Sequence, residues 1–394
     1  MANVFVMDNG ACTIKAGYAT GKEPRQIPNC IIKAKNERKR VYIGDQIDEC
    51  KDRSSLFFLL PFQKGFLVNW DVEHQVWDHT FGKECLNITC KDTCIVLTEP
   101  HCNFLSVKDA TDEVLFEDYG FASALRTNAS ALSAFGYLDA NPDERCCLIV
   151  DSGYSFTHIA PYCDGRVIKE AVLRISVGGK LLTNQLKEWI SYRQLQVMEE
   201  TYVMNQCKED VCFVADDFEE NMAIARKRGA ANNILRHYVL PDFLNVERGY
   251  VAMPGDSHDG EQILKLNHER FAVPEILFRP SDVGIDEMGI AEAIAYCIMT
   301  KCPEPVRARL FKNIVLTGGN VLFEGFRKRL ETEVRSLAPQ LYDVRLIQAD
   351  QPITDAWHGG SKLAQSAKLK DMVVTKADYD EKGGWRICRE RFDN

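Results

Sequence analysis

The chain has 394 residues, 45% of them hydrophobic, enough to bury more than one core, and this length predicts two or more domains. A formal net charge of −9 argues against a dedicated nucleic-acid binder, because binding to a polyphosphate backbone is driven largely by basic contacts. The start, MANVFVMDNG, has no basic segment and reads as a strand rather than a signal peptide, and the longest apolar stretch, SSLFFLLPF at 54–62, is too short to span a bilayer; both predict a soluble, intracellular protein.

The first element is an apolar strand in VFVMDNGACTIKAGY (4–18), which stops at Asp8, with Gly10 permitting a tight turn that only a residue without Cβ adopts cheaply. The basic run at 33–40, with Lys33, Lys35, Arg38, Lys39 and Arg40, reads as a solvated loop tip in an acidic chain, with local contact to nucleic acid as the alternative. The fifteen cysteines are odd in number, scattered and free of any C-x-x-C, so they read as reduced, mostly buried thiols. One cluster, Cys85, Cys90, Cys94, His101 and Cys102, is dense enough to consider as a zinc site, but Cys94 lies inside the strand-like TCIVLTEP and the spacings match no common zinc module.

The opening pattern then returns. CLIVDSGYSFTHIAPY (147–162) is a second apolar strand that ends in a carboxylate, Asp151, and a glycine, Gly153. Gly178 and Gly179 precede a predicted helix with Leu182, Leu186 and Ile190 at helical spacing, and Arg226 to Arg228 reads as surface charge on a helix. Residues 241–267 have mixed charge, several glycines and little periodicity, and predict a surface insertion. A third strand, NIVLTGGN (313–320), ends in Gly318 and Gly319 and feeds a helix with Phe326, Leu330, Val334 and Leu337 on one face. Two facing Asp-x-Gly hairpins would form a phosphate clamp, with backbone N–H groups on the anion and carboxylates holding water around a hard cation.

These segments resemble the actin-related proteins from end to end, in the family's order. DNGACTIKAG is similar to actin's first phosphate loop, VNWDVEHQVWDHTF (68–81) to its early helix, TEP (98–100) to the next strand, and DSGYSFTH to the second phosphate loop. KEDVCFVADDF (208–218) is similar to the adenosine-side helix, LTGGN to the third nucleotide loop, and 359–383 to the C-terminal helices. NWD, DSGYSFTH, GGKLLTN and FAVPEILF look most like the sixth class of actin-related proteins.

The resemblance implies a two-lobed α/β fold of the actin, sugar-kinase and Hsp70 ATPase type, with four subdomains around a nucleotide cleft. Residues 1–29, 60–137 and 355–394 would form the first subdomain and 30–59 a short second one with a reduced subunit-inserting loop. Residues 138–175 and 286–354 would form the third, and 176–285 the fourth, with an insertion near 243–266. ATP or ADP with Mg2+ is the implied cofactor, an empty cleft being the alternative. Asp8, Asn9, Gly10, Lys15, Asp151 and Gly153 would surround the phosphates, with Asp8 and Asp151 on the metal through water. Lys208, Glu209, Gly318, Gly319 and Phe323 would line the adenosine.

Departures from actin imply a blunted chemistry. Ala11-Cys12 replaces a Ser-Gly, removing a hydroxyl donor, and Tyr154-Ser155-Phe156 replaces an Asp-Gly-Val, deleting a carboxylate and adding two rings. His158 stands at the position of actin's water-orienting histidine, but Asn128 or Ala129 falls where its partner glutamine is expected, so nucleotide hydrolysis is not anticipated. The segment SDVGIDEMG (281–289) puts Asp282 and Asp286 where actin has an apolar plug, which disfavours filaments. Together these imply a nuclear, chromatin-associated structural subunit of a Swr-type remodelling complex that exchanges a variant histone. A remodeller ATPase and a zinc-finger HIT protein are the implied partners, with heterochromatin-protein and nucleosome contacts and no membrane. An active actin-fold ATPase and a cytoplasmic filament former are the alternatives.

Overall fold

Val4 to Asp8 are apolar up to the carboxylate because their strand, Asn3–Asn9, lies in the interior of a sheet and is covered on both faces. The computed structural model describes residues 3–35, 40–50, 53–54, 56–253 and 260–393. Arg38 and Lys39 of the basic run, and 254–259 of the predicted insertion, lie outside the described residues.

The first six-stranded sheet runs, edge to edge, Val374–Thr375, Ser123–Asn128, Thr93–Glu99, Asn3–Asn9, Thr13–Tyr18 and Arg25–Pro28. Asn3–Asn9 pairs antiparallel with Thr13–Tyr18 and parallel with Thr93–Glu99. The second sheet repeats this plan: Cys146–Ser152 pairs antiparallel with Thr157–Cys163 and parallel with Ile314–Thr317, which leads to Leu346–Gln348. Parallel neighbours require crossover helices, and the chain supplies them. Trp70–Phe81 precedes the strand Thr93–Glu99; it is capped by Asn69, whose side chain accepts the Val72 N–H, and it buries Val72, Val76, Trp77 and Phe81.

Between the sheets lie the helices Ala129–Ala140 and Asp355–Gln365. Leu132 and Trp357 pack in a cluster with Val6 and Val96 of the first sheet, and Ala134 in another with Cys147, Ile149 and Val315 of the second. The two helices cross in backbone contact: a Cβ at Gly359 would stand 2.0 Å from the Leu132 carbonyl oxygen. The largest core cluster lies around the second sheet and includes Leu148, Val150, Leu182, Leu186, Ile190, Phe326, Leu330 and Val334. Leu337, predicted on the same face, is 49% exposed at the helix end.

The segment predicted as an irregular insertion contributes two strands. Tyr250–Val251 and Ile263–Leu266 flank Arg236–Val239 in a three-stranded antiparallel sheet. They are short, and only Leu264 and Leu266 are fully buried, with Val251 partly so, so no sustained pattern advertises them. A second small sheet joins Val41–Ile43, Ile31–Ala34 and Leu56–Leu59. Asp282 and Asp286 are exposed, as the sequence suggests. Among the described residues, no helix is long and apolar enough to cross a membrane.

Candidate functional site

Each sheet ends its central hairpin at a carboxylate, and both ends open into one cleft. In the first hairpin Asp8 lies directly opposite Lys15, whose ammonium sits 3.2 Å from Asp8 Oδ2, while the Thr98 hydroxyl donates to Oδ1 at 2.8 Å. Thr98 belongs to the parallel neighbour strand, so the sheet register itself aims the carboxylate. The turn at Gly10 is tight: an added Cβ would meet the Thr13 carbonyl oxygen at 2.6 Å. Behind the turn Asn9 donates to Glu73 at 2.7 Å, and Asn29 donates to the Gly10 carbonyl at 3.1 Å.

In the second hairpin Asp151 lies opposite His158, and the Gly153 N–H donates to the Phe156 carbonyl at 3.0 Å to close the tip. Burial, then the nearby charge of Asp8, lifts the Asp151 carboxyl to about 6, and Lys15 opposes the rise. Gly318 has φ +91°, and a Cβ there would lie 2.3 Å from the Ser152 carbonyl oxygen, so the third glycine loop presses its backbone against the second hairpin. Asn320 fastens it by donating to the Gly153 carbonyl at 2.8 Å.

The positions expected around the phosphates, the metal and the adenosine, together with His158, fall on the wall of this cleft, whereas Asn128 and the cysteines Cys85, Cys90, Cys94 and Cys102 do not. Asp8, Asn9, Gly10, Lys15, Asp151, Gly153, His158, Lys208, Glu209, Gly318, Gly319 and Phe323 line a volume of about 700 Å³, within the usual range for small-molecule sites. One residue arrives that sequence reasoning placed elsewhere. His101, grouped above with the cysteines, lines the same cleft; its ring is 5.1 Å from that of His158, and its Nε2 is 2.6 Å from the Ser130 hydroxyl, which in turn meets the Tyr162 hydroxyl at 2.9 Å. The signal was its position just beyond TEP, at the end of the strand beside Asp8. Among the described residues, the side chains that do converge with metal-ligand spacing are Asp45, His79 and Cys85, and Arg25 already pairs with Asp45 there.

The Actin family profile matches residues 1–393. The chain belongs to the actin family. It is 46% identical to a Drosophila melanogaster protein named Actin-related protein 6 over 97% of this chain and 98% of that one. It is also 38% identical to Actin-like protein ARP6 of Yarrowia lipolytica, covering 98% and 97% of the two chains. A third relative, Actin-related protein 6 of Arabidopsis thaliana, is 36% identical over the full length of both.

Within this actin-family cleft the two ends differ in character. At the Lys208 end, the ammonium is buried and already donates to Asn205 Oδ1 at 2.9 Å and to the Thr183 hydroxyl at 3.0 Å, and burial lowers its pKa. Lys208 is therefore a fixed part of the wall. At the Asp151 end, the Phe156 ring leaves the hairpin and fills the space above Gly65, where an added Cβ would come within 2.0 Å of it. The guanidinium of Arg174 lies 4.7 Å from the Phe156 ring centre and 4.5 Å from that of Phe66, and it donates to the Lys64 carbonyl. This sandwich links the second sheet to the Phe62–Leu67 turn of the first lobe.

His158 is 3% exposed, and its pKa is driven well below the ordinary value by burial and then by His101. Its Nε2 has no hydrogen-bond partner among the described residues. The imidazole packs against the Phe156 ring, with centroids 4.1 Å apart and planes tilted by 42°. Two carboxylates, Asp8 buried and Asp151 half-buried, beside a single lysine make an oxygen-only donor set, and this chemistry fits a hydrated Mg2+. Asp8 and Asp151 would hold such an ion through its water, where it would neutralise phosphate charge.

Proposed function

We propose that this actin-family chain is a nuclear, non-filamentous structural subunit of a Swr-type chromatin-remodelling complex that exchanges a variant histone and organises heterochromatin. It binds ATP or ADP with Mg2+ as a structural cofactor and does not hydrolyse it productively. The remodeller ATPase and a zinc-finger HIT protein are its partners in that assembly, with heterochromatin-protein and nucleosome contacts. Relatives named Actin-related protein 6 at 46% and 36% identity, matched over 98% and 100% of their lengths, support the reading.

The observation that carries it is the contrast inside the cleft. Asp8, Gly10, Lys15, Asp151 and Gly318, the residues expected to clamp a phosphate, converge on one cleft, whereas the wall beside them carries Phe156, backed by Arg174, and a His158 whose buried Nε2 has no hydrogen-bond partner among the described residues. General-base catalysis needs a group that can take and pass on a proton near the operating pH. A buried histidine whose pKa is held down by its surroundings, and whose Nε2 meets no partner among the described residues, is poorly placed for that role.

Affinity purification of the endogenous protein from nuclear extract tests the proposal. Mass spectrometry should recover a remodeller ATPase and a zinc-finger HIT protein, and chromatography of the denatured complex should release a stoichiometric adenine nucleotide. Recovery of a free monomer, steady ATP turnover abolished by Asp151→Ala, or salt-induced sedimentation as filaments would each refute it.

A further inference from the structure

The hairpin that carries Asp151 and His158 towards its tip carries two cysteines at its base. Cys146 and Cys163 are directly opposed in the antiparallel ladder, and their Sγ atoms are 2.7 Å apart. Three features fix the phase of that ladder. The Asp164 N–H donates to the Arg145 carbonyl at 2.8 Å, the Gly153 N–H donates to the Phe156 carbonyl at 3.0 Å, and Pro161, which has no N–H, lies opposite Leu148. Hydrogen-bonded and non-hydrogen-bonded pairs alternate along an antiparallel ladder, so Cys146 and Cys163 occupy a non-hydrogen-bonded position, where opposed Cα atoms are roughly 4.5 Å apart and side chains approach most closely.

Disulfides span Cα separations of about 4.4–6.8 Å, so this pair lies at the short end of the allowed range. A bond there forms without backbone movement but is more readily reduced than a relaxed structural one. Access is asymmetric in the useful sense: Cys163 is partly exposed and Cys146 is buried. The adjacent Cys147 faces the opposite side of the sheet, in the cluster with Ile149 and Val315, and cannot compete.

We infer that Cys146 and Cys163 form a reversible dithiol modification site, oxidised by hydroperoxides and reset by a dithiol reductant. Cys163 is oxidised first: its sulfur takes one peroxide oxygen as a sulfenic acid, and the other oxygen leaves as water or an alcohol. The Cys146 sulfur then attacks the Cys163 sulfur; the S–S bond forms, the S–O bond breaks, and the departing hydroxide takes the Cys146 proton as water. Reduction returns two electrons and two protons from the dithiol, which becomes the disulfide. The product staples the base of the hairpin whose other end holds the second phosphate loop.

The test uses the full chain, folded, titrated with hydrogen peroxide, then unfolded and alkylated. Trypsin would leave all three cysteines on one peptide, 146–166, so chymotrypsin is used to cut at Tyr154 and Phe156 between them. The expected product is a cross-linked peptide pair lighter by two hydrogens, with alkylation lost at Cys146 and Cys163, kept at Cys147, and restored by dithiothreitol. Cys163→Ser should abolish the cross-link and Cys147→Ser should leave it. Accumulation of sulfinic acid at Cys163 with Cys146 still alkylated would overturn the inference. So would oxidation of the exposed Cys12 or Cys102 at peroxide levels that leave the pair reduced.

Discussion

Replacing Glu73 with glutamine probes how the first phosphate loop is supported. Glu73 is 0% exposed, lies on the helix Trp70–Phe81, and accepts the Asn9 side-chain N–H at 2.7 Å. Burial raises its carboxyl from 4.5 to about 7, and the hydrogen bond from Asn9 offsets only part of the rise. Below 4.5 the acid is neutral in both folded and unfolded chains, and burial carries no charge penalty. Between 4.5 and about 7 the folded protein keeps a proton that the unfolded chain has released, so this stability is present below 4.5 and is lost as pH rises through about 7. At about 1.4 kcal/mol per pH unit, the loss amounts to about 3 kcal/mol above that window. Glutamine offers Asn9 the same carbonyl and presents an N–H where the protonated acid has its O–H, so it is a permanently neutral mimic. Urea unfolding should show wild type and Glu73→Gln nearly equal in the acid limb and the variant more stable by about 3 kcal/mol at mildly alkaline pH. A stability gap of the same size at both pH values would refute the reasoning.

Three further outcomes follow from packing and charge. Gly318→Ala should destabilise by more than about 2 kcal/mol, through both its φ and its collision with Ser152, while Gly319→Ala, with open space at its Cβ, should be tolerated; equal melting temperatures would count against the described loop. Arg126 is 1% exposed and donates to both Asp112 oxygens at 3.0 and 3.1 Å, so Arg126→Met should cost about 3–5 kcal/mol in chemical denaturation by stranding a buried carboxylate, and a cost under about 1 kcal/mol would show the pair is not desolvated. Asp151→Asn removes one of the two carboxylates beside Lys15, so nucleotide retained through desalting should become insensitive to a Mg2+ chelator; unchanged chelator sensitivity would remove Asp151 from the proposed ion site.

The parts of the site legible in the sequence were those written as local pattern. Asp8 and Asp151 each end a buried strand, with a glycine two residues on, and the register of each hairpin then fixes their partners Lys15 and His158. What the sequence concealed depends on contacts between distant segments. Phe156 reads as a ring aimed at phosphate, but its space is created by Gly65 and its cation comes from Arg174. No local pattern singles out Glu73, which the packing of Trp70–Phe81 buries under Asn9. His101 sits among cysteines in the chain, while the parallel pairing of Thr93–Glu99 with Asn3–Asn9 delivers it to the cleft. Tyr250–Val251 and Ile263–Leu266 are strands only because Arg236–Val239 lies between them.

The guanidinium held between Phe66 and Phe156 also limits how the molecule can move. A cation gripped by one ring from each lobe, and tied to the Lys64 carbonyl, resists sliding of the lobes past each other, because any lateral shift unstacks both faces at once. Rotation about that point disturbs it least. A contact of this kind, made by one residue to both lobes, is placed to act as the pivot of any hinge motion between them.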